Sequence, residues 1–122
     1  MKQDWYISYS LDEVIIAPEA VAASIVAACR RSTPGRVAAL LQQDNSFTVV
    51  CSETDGLLNA AAAIRFVEVT SADRQELTGM LNSRWQGGYH AAGMLSDPSG
   101  DGSSRWFLML QKFTRDQGGE NP

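Results

Sequence analysis

The sequence has few of the residues from which catalytic and metal sites are built. Its 122 residues include one histidine and two cysteines. Metal and nucleophilic sites need several such side chains at defined spacings, and Cys29 and Cys51 match none of these spacings. His90 precedes Ala91, Ala92 and Gly93, so its local sequence offers no catalytic partner. No phosphate-binding, nucleophile-elbow or zinc-protease motif occurs. We therefore expect a protein that is not an enzyme and that binds no metal or cofactor.

Basic residues are also scarce. Lys and Arg number 10 against 14 Asp and Glu, which gives a formal net charge of −4. Binding to phosphates needs clustered cations, and Arg30-Arg31 is the largest cluster, so we expect no nucleic-acid partner. The same acidity disfavours an anionic membrane surface.

Long apolar runs are missing as well. The stretch from Ala20 to Cys29 contains Ser24 and is too short to span a bilayer, and the N-terminus resembles no targeting segment. We expect a cytoplasmic protein with no membrane partner. The two cysteines are interpreted as buried thiols in a reducing compartment, with a disulfide between them as the alternative.

The first half of the chain has the pattern of a β-α-β-β unit. Large side chains alternate in residues 5–10, as in a strand with one buried face. Pro18 suits a first helical position, and apolar residues at helical spacing predict a helix over residues 18–32. Two apolar runs, residues 37–41 and 47–51, flank a turn and predict a hairpin.

The second half repeats this order. Within the first half, residues 11–16 are expected to be a connector. Between the two halves, residues 53–63 are expected to be a short helical turn or the edge of a strand, with the turn favoured. The second unit is predicted from residues 64–70 (strand), 72–86 (helix), 89–95 (strand), 96–104 (polar, glycine-rich loop) and 105–113 (strand).

These patterns predict an α+β fold of two tandem β-α-β-β units. The units cover residues 4–52 and 64–113 of a single domain, residues 1–113, and residues 114–122 are expected to be a disordered tail. We expect the units to join their edges into one larger antiparallel sheet, with both helices packed on one face. The other face would then need a cover.

Glu68 is the one charged residue that the pattern singles out. It lies in an otherwise apolar strand, on the same predicted face as Phe66. Such a carboxylate could bind a cation in an aromatic-lined cavity. Alternatively, it points to solvent or pairs with Arg65 or Lys112.

Aromatic residues concentrate in the strands and give the second clue. The predicted strand over residues 105–113 is apolar on both faces, so it is covered twice, lines a pocket or forms an interface. Trp106 opens this strand, and we expect it to be an anchor of the core or of an interface, with Trp106→Ala the most damaging single change in the strand. Trp5 and Tyr6 raise the same question in the first strand.

The second half also resembles a known family. The residues that carry the resemblance are Leu77, Leu81, Asn82, Trp85-Gln86-Gly87-Gly88-Tyr89, Gly93-Met94 and the strand Trp106-Phe107-Leu108-Met109-Leu110-Gln111-Lys112. Over residues 64–113 this pattern resembles the small β-α-β-β domain-of-unknown-function family 4177, which implies a fold but no catalytic residue. The doubled arrangement resembles, in architecture, the gyrase-inhibitor-like ligand-binding domains, which use a carboxylate beneath aromatics. This resemblance implies Glu68 as the nearest equivalent.

Two functions follow as hypotheses. The first is a non-enzymatic binding or protein-interaction domain that forms a homodimer through a sheet face. The second is a protein that binds a small molecule, such as a cationic aromatic compound, in a pocket near Glu68. The candidate binding residues are Glu68, Trp5, Tyr9, Phe66 and Trp106.

Overall fold

A computed structural model describes residues 2–69, 79, 87–97 and 105–118. The elements are β1 (Asp4–Ser10), α1 (Leu11–Ile16), α2 (Pro18–Cys29), β2 (Gly35–Gln43), β3 (Ser46–Glu53), a 3-10 turn (Leu57–Asn59), β4 (Ala61–Val69), β5 (Tyr89–Ser96), β6 (Trp106–Phe113) and α3 (Thr114–Gly118). The predicted α+β class is confirmed. The predicted helix over residues 72–86, except residue 79, and residues 98–104 of the predicted loop lie outside the described residues.

The strands form two separate antiparallel sheets. Sheet A has the order β1-β3-β2, and sheet B has the order β4-β6-β5. In each sheet the last strand of the unit lies in the centre, as expected where the last two strands form a hairpin and the first strand pairs with its free side. The expectation of one larger sheet is wrong, because β2 and β5 do not pair through their backbones.

Two glutamine side chains explain why the sheets stay separate. The Gln111 amide accepts a hydrogen bond from the Val37 N–H (3.1 Å) and donates one to the Val37 carbonyl (2.9 Å). The Gln42 amide contacts Ser96 in the same way, at 2.9 Å and 2.6 Å. Backbone groups that would otherwise need a neighbouring strand are therefore satisfied by side chains.

One core unites both sheets with the first two helices. Its buried side chains include Leu11, Val14, Ile25, Val49, Phe107 and Met109. A second cluster, Val69, Leu108 and Leu110, lies on the opposite face of β6. Strand β6 is thus buried on both faces within its own chain.

Helix α1 replaces the connector expected over residues 11–16. Ser10 and Glu13 form a capping box, in which the Ser10 hydroxyl accepts from the Glu13 N–H (3.3 Å) and the Glu13 carboxylate accepts from the Ser10 N–H (2.7 Å). This exchange satisfies two donors at the helix start. Helix α2 begins at Pro18 as predicted but ends at Cys29, three residues before the predicted end.

The segment after β6 begins with α3, where a disordered tail was expected. The Thr114 N–H donates to the Ala60 carbonyl (3.0 Å), and Arg115 donates to Asn59 (3.0 Å). These bonds tie α3 to the 3-10 turn, which lies where the sequence favoured a helical turn. Residues 119–122 of the predicted tail lie outside the described residues.

Candidate functional site

Two of the five candidate residues hold α2 against sheet A. Trp5 donates from its indole Nε1 to the Ala28 carbonyl (2.8 Å). The Tyr9 hydroxyl shares a hydrogen bond with Ser24 (2.7 Å), and its ring stacks on Phe47 with centroids 5.6 Å apart. Burial raises the pKa of Tyr9. The polar atoms of both aromatics are therefore engaged within the chain.

Glu68 has a cation of its own. Its carboxylate accepts a hydrogen bond from Arg105 at 2.9 Å, and the same guanidinium lies 3.5 Å from the Asp97 carboxylate and 5.0 Å from the Phe107 ring centroid. The hydrogen bond to Glu68 raises the pKa of Arg105. A cationic ligand at Glu68 would have to displace a guanidinium that already has two carboxylates and a ring. Glu68 is exposed, as the alternative of a solvent-facing carboxylate expected, but its partner is Arg105 and not Arg65 or Lys112.

The last two candidates lie in different surroundings. Phe66 packs against the shared core and lines a cavity between α2 and β4. Trp106 is half-buried and packs against the second cluster, on the opposite face of sheet B. The five candidates therefore divide among the α2 contact, an ion pair, a cavity and a packing cluster, and the structure does not bring them together in one pocket.

The cavity between α2 and β4 is the largest of the described hollows, at about 730 Å³. Its walls come from small and apolar residues of both elements, with Glu19 and Arg65 as the charged groups: Pro18, Glu19, Ala22, Ala23, Val26, Ala62, Ala63, Ile64, Arg65, Phe66 and Tyr89. The Arg65 guanidinium lies 5.7 Å from the Tyr89 ring centroid. Pockets that bind small molecules have volumes of about 300–1,000 Å³, so this cavity has a suitable size.

The outer face of sheet A, the side away from α1 and α2, is apolar at its centre. Because side chains alternate along strands, the register places Tyr6 beside Val50 and Ala39, and Ser8 beside Thr48 and Leu41. We call these six residues the outer face. Tyr6 is 76% exposed and Leu41 is 60% exposed, so two large apolar side chains stand in solvent on the same surface.

Polar residues border the outer face at both ends. At one end Asp4, Ser52 and Arg36 form a row, and at the other end Ser10, Ser46 and Gln43 do so. Within this surface the Ser8 and Thr48 hydroxyls share a hydrogen bond of 2.8 Å. An apolar centre with a polar rim is the usual composition of a protein–protein interface.

His90 has a partner that the local sequence did not reveal. Its Nε2 lies 3.2 Å from the Asp116 carboxylate, and its ring lies 5.1 Å from the Phe113 ring centroid. Asp116 also accepts from the Phe113 N–H (3.4 Å), so the pair ties α3 to sheet B. Among the described residues, no group of three or more His, Cys, Asp or Glu side chains could hold a metal ion. The described helices also include none with the length and apolar character needed to cross a membrane.

Comparison of the chain with protein-family models, with curated proteins and with solved structures finds no match. The resemblances to family 4177 and to the gyrase-inhibitor-like domains therefore stay predictions. The functional proposal rests on the contacts and surfaces described above.

Tyr6 raises the question of an interface from the sequence alone, whereas Trp5 and Tyr9, the candidate binding residues of the first strand, lie on its buried face. Trp5, Ile7 and Tyr9 mark the buried face, and the same alternation puts Tyr6 on the opposite side. Leu41 gave a weaker signal, because the continuous apolar run of β2 hides which residues face outward. A bulge between Val37 and Ala39 changes the alternation of inward and outward side chains there, and the sequence pattern does not predict this bulge.

Proposed function

We propose that the protein is an interaction domain that forms a homodimer through the outer face of sheet A. The observation that carries this proposal is the exposure of Tyr6 and Leu41 on one sheet surface with a polar rim. Tyrosine is enriched among the residues that dominate binding energy, because it supplies a large contact area with few rotatable bonds. The central strand of sheet B, β6, is buried on both faces, so it offers no such exposed surface.

The local charge of the outer face does not oppose a second copy as the partner. The chain has a net charge of −4, so two copies repel each other on average. The outer face and its rim carry one acidic residue, Asp4, and one basic residue, Arg36, both at the same end. A two-fold axis in the plane of the face and perpendicular to the strands would place this charged end over the neutral end of the second copy. Like charges would then not meet.

The size of the face sets the expected strength. Three strands about 4.8 Å apart and eight residues about 3.3 Å apart cover a footprint of about 400 Å². Stable interfaces bury about 800 Å² of each partner, so the face and its rim correspond to a small interface. We therefore expect a reversible dimer whose population depends on micromolar protein concentration.

A pair of matched lysine variants tests the proposal by light scattering. Tyr6→Lys places a charge in the centre of the outer face, and the dimer population should fall at least tenfold. Ile16→Lys is the control, because Ile16 is 82% exposed on the helical side of sheet A. It should leave the dimer unchanged. Equal effects of the two variants, or dimers that tolerate Tyr6→Lys, would contradict the proposed surface.

A small-molecule site is the second candidate, and the cavity between α2 and β4 is the observation that favours it. We place this hypothetical site at the cavity that Phe66 lines and not at Glu68, because Glu68 already pairs with Arg105 whereas Glu19 supplies a carboxylate at the cavity. Glu19 would pair with the charge of a cationic aromatic compound and Phe66 would contact its ring, whereas the Tyr89 ring already lies beside Arg65 and Lys112.

A thermal-shift screen with cationic aromatic compounds separates this candidate from the dimer. A ligand at a hundred times its dissociation constant stabilises the folded state by about 2.7 kcal/mol. Ala23→Phe should fill the cavity and remove the shift, whereas Ile16→Lys should keep it. Compounds that leave the melting temperature of the wild-type protein unchanged would count against a pocket.

A further inference from the structure

The two cysteines meet in the core although 22 residues separate them in sequence. Cys29 is the last residue of α2, and Cys51 lies in the central strand of sheet A. Their Sγ atoms are 3.5 Å apart, both side chains are buried, and neither is in a disulfide. A disulfide requires about 2.05 Å between sulfur atoms, so the pair needs a closure of about 1.5 Å.

The thiols already interact with each other. The hydrogen bond to Cys51, together with burial, raises the pKa of Cys29, and the same hydrogen bond lowers the pKa of Cys51. The two sulfurs therefore differ in character: Cys29 retains its proton and Cys51 accepts it in a hydrogen bond. Two isolated buried cysteines would be chemically inert, but a pair in contact has a partner for oxidation.

The end of α2 offers a route to the pair. Cys29 is followed by Arg30, Arg31 and Ser32, which are exposed. The last turn of a helix opens at a lower free-energy cost than the whole domain does. Opening of this turn would bring Cys29 to solvent while Cys51 stays in sheet A.

We propose that Cys29 and Cys51 form a redox-active dithiol that closes to an intramolecular disulfide, with a low-molecular-weight disulfide such as oxidised glutathione as the oxidant. Opening of the turn removes the burial and the hydrogen bond that raise the pKa of Cys29, so the exposed thiol releases its proton to solvent. The resulting Cys29 thiolate attacks the S–S bond of the oxidant, forms a mixed disulfide and releases one thiolate. The Cys51 thiolate then attacks the Cys29 sulfur and expels the second thiol. The two protein sulfurs lose two electrons, the oxidant gains them, and the two thiol protons end on the two released thiols.

An equilibrium measurement on the whole chain tests this proposal. The protein is incubated with mixtures of reduced and oxidised glutathione, quenched with acid, alkylated and weighed by mass spectrometry. The intramolecular disulfide appears as a loss of two hydrogen atoms without alkylation. The same titration in concentrated urea gives the reference for the unfolded chain.

Folding should increase the equilibrium constant for disulfide formation on the order of a hundredfold, because the native contact holds both thiols in reach. A ratio at or below one would overturn the proposal, as would a native product that is a mixed disulfide with glutathione. Cys29→Ala and Cys51→Ala are controls that can form only mixed or intermolecular disulfides. The central comparison uses the wild-type chain, so it stands even if neither variant folds.

Discussion

Gln111 is a buried polar residue that links the two sheets by hydrogen bonds. It lies in β6 with almost no solvent exposure, and it satisfies both backbone groups of Val37. A buried amide without partners would cost free energy, and so would a buried N–H or carbonyl. The reciprocal pairing of one side-chain amide with one peptide removes all of these costs at once.

Replacement of this residue should destabilise the fold. Gln111→Leu leaves the Val37 N–H and carbonyl without partners, and we expect a loss of about 2–4 kcal/mol in the free energy of unfolding. Urea denaturation measures it. Gln42→Leu is the matched control, because Gln42 makes the same kind of contact with Ser96 where water can replace it. We expect about 1 kcal/mol or less there, and an equally small loss for Gln111→Leu would contradict the structural role of its amide.

A carboxyl group at position 111 would distinguish hydrogen bonding from packing. Gln111→Glu keeps the shape, but an ionised carboxylate accepts bonds and donates none, so it opposes the Val37 carbonyl. Burial raises the pKa of such a group, and its protonated form can both accept and donate. The variant should therefore gain stability relative to the wild type as the pH falls through that raised pKa. A variant whose relative stability does not depend on pH would contradict the exchange of two hydrogen bonds.

Strand β6 shows which properties of an element a sequence can reveal. Its apolar character on both faces was plain in the sequence, and the structure buries both. The sequence did not reveal what covers each face, because burial depends on contacts with distant parts of the chain. The same limit applies to β2 and β5: their strand character was predictable, but the glutamine contacts that separate the sheets are long-range.

Replacement of single β6 side chains by alanine measures how much each one stabilises the fold. Leu110 is fully buried, whereas Trp106 is half-buried at the start of the strand. We expect Leu110→Ala to cost about 2–5 kcal/mol, and Trp106→Ala less than that, at about 1–3 kcal/mol. This order reverses the expectation that Trp106 is the principal anchor. Chemical denaturation of both variants decides it, and a larger loss for Trp106→Ala would restore the earlier expectation.

The start of helix α1 carries a local signal in the sequence. Ser10 and Glu13 have the spacing of a capping box, which predicts a helix start from the sequence alone. For the predicted binding residues the sequence held no such local signal. Phe66 lines a cavity and Tyr9 contacts α2. Neither contact follows from the periodicity of apolar residues or from secondary-structure propensity. Alternation within a strand identifies a face, but it does not identify what that face meets.

At the scale of the whole molecule, sheet A presents its two faces differently. The inner face packs on α1 and α2 and shares the core with sheet B. The outer face leaves Tyr6 and Leu41 in solvent on the two edge strands of a surface with little charge. Such a surface costs free energy when exposed to water, which association would recover in part. The proposal of a homodimer rests on this contrast between the two faces.

Sedimentation equilibrium over a series of protein concentrations tests that claim most directly. The wild-type chain should move from a mass near 13.2 kDa towards twice that value as the concentration rises through the micromolar range. The double variant Tyr6→Lys, Leu41→Lys should stay at 13.2 kDa throughout. A wild-type chain that remains a monomer at high micromolar concentration, or a double variant that associates equally well, would contradict the account.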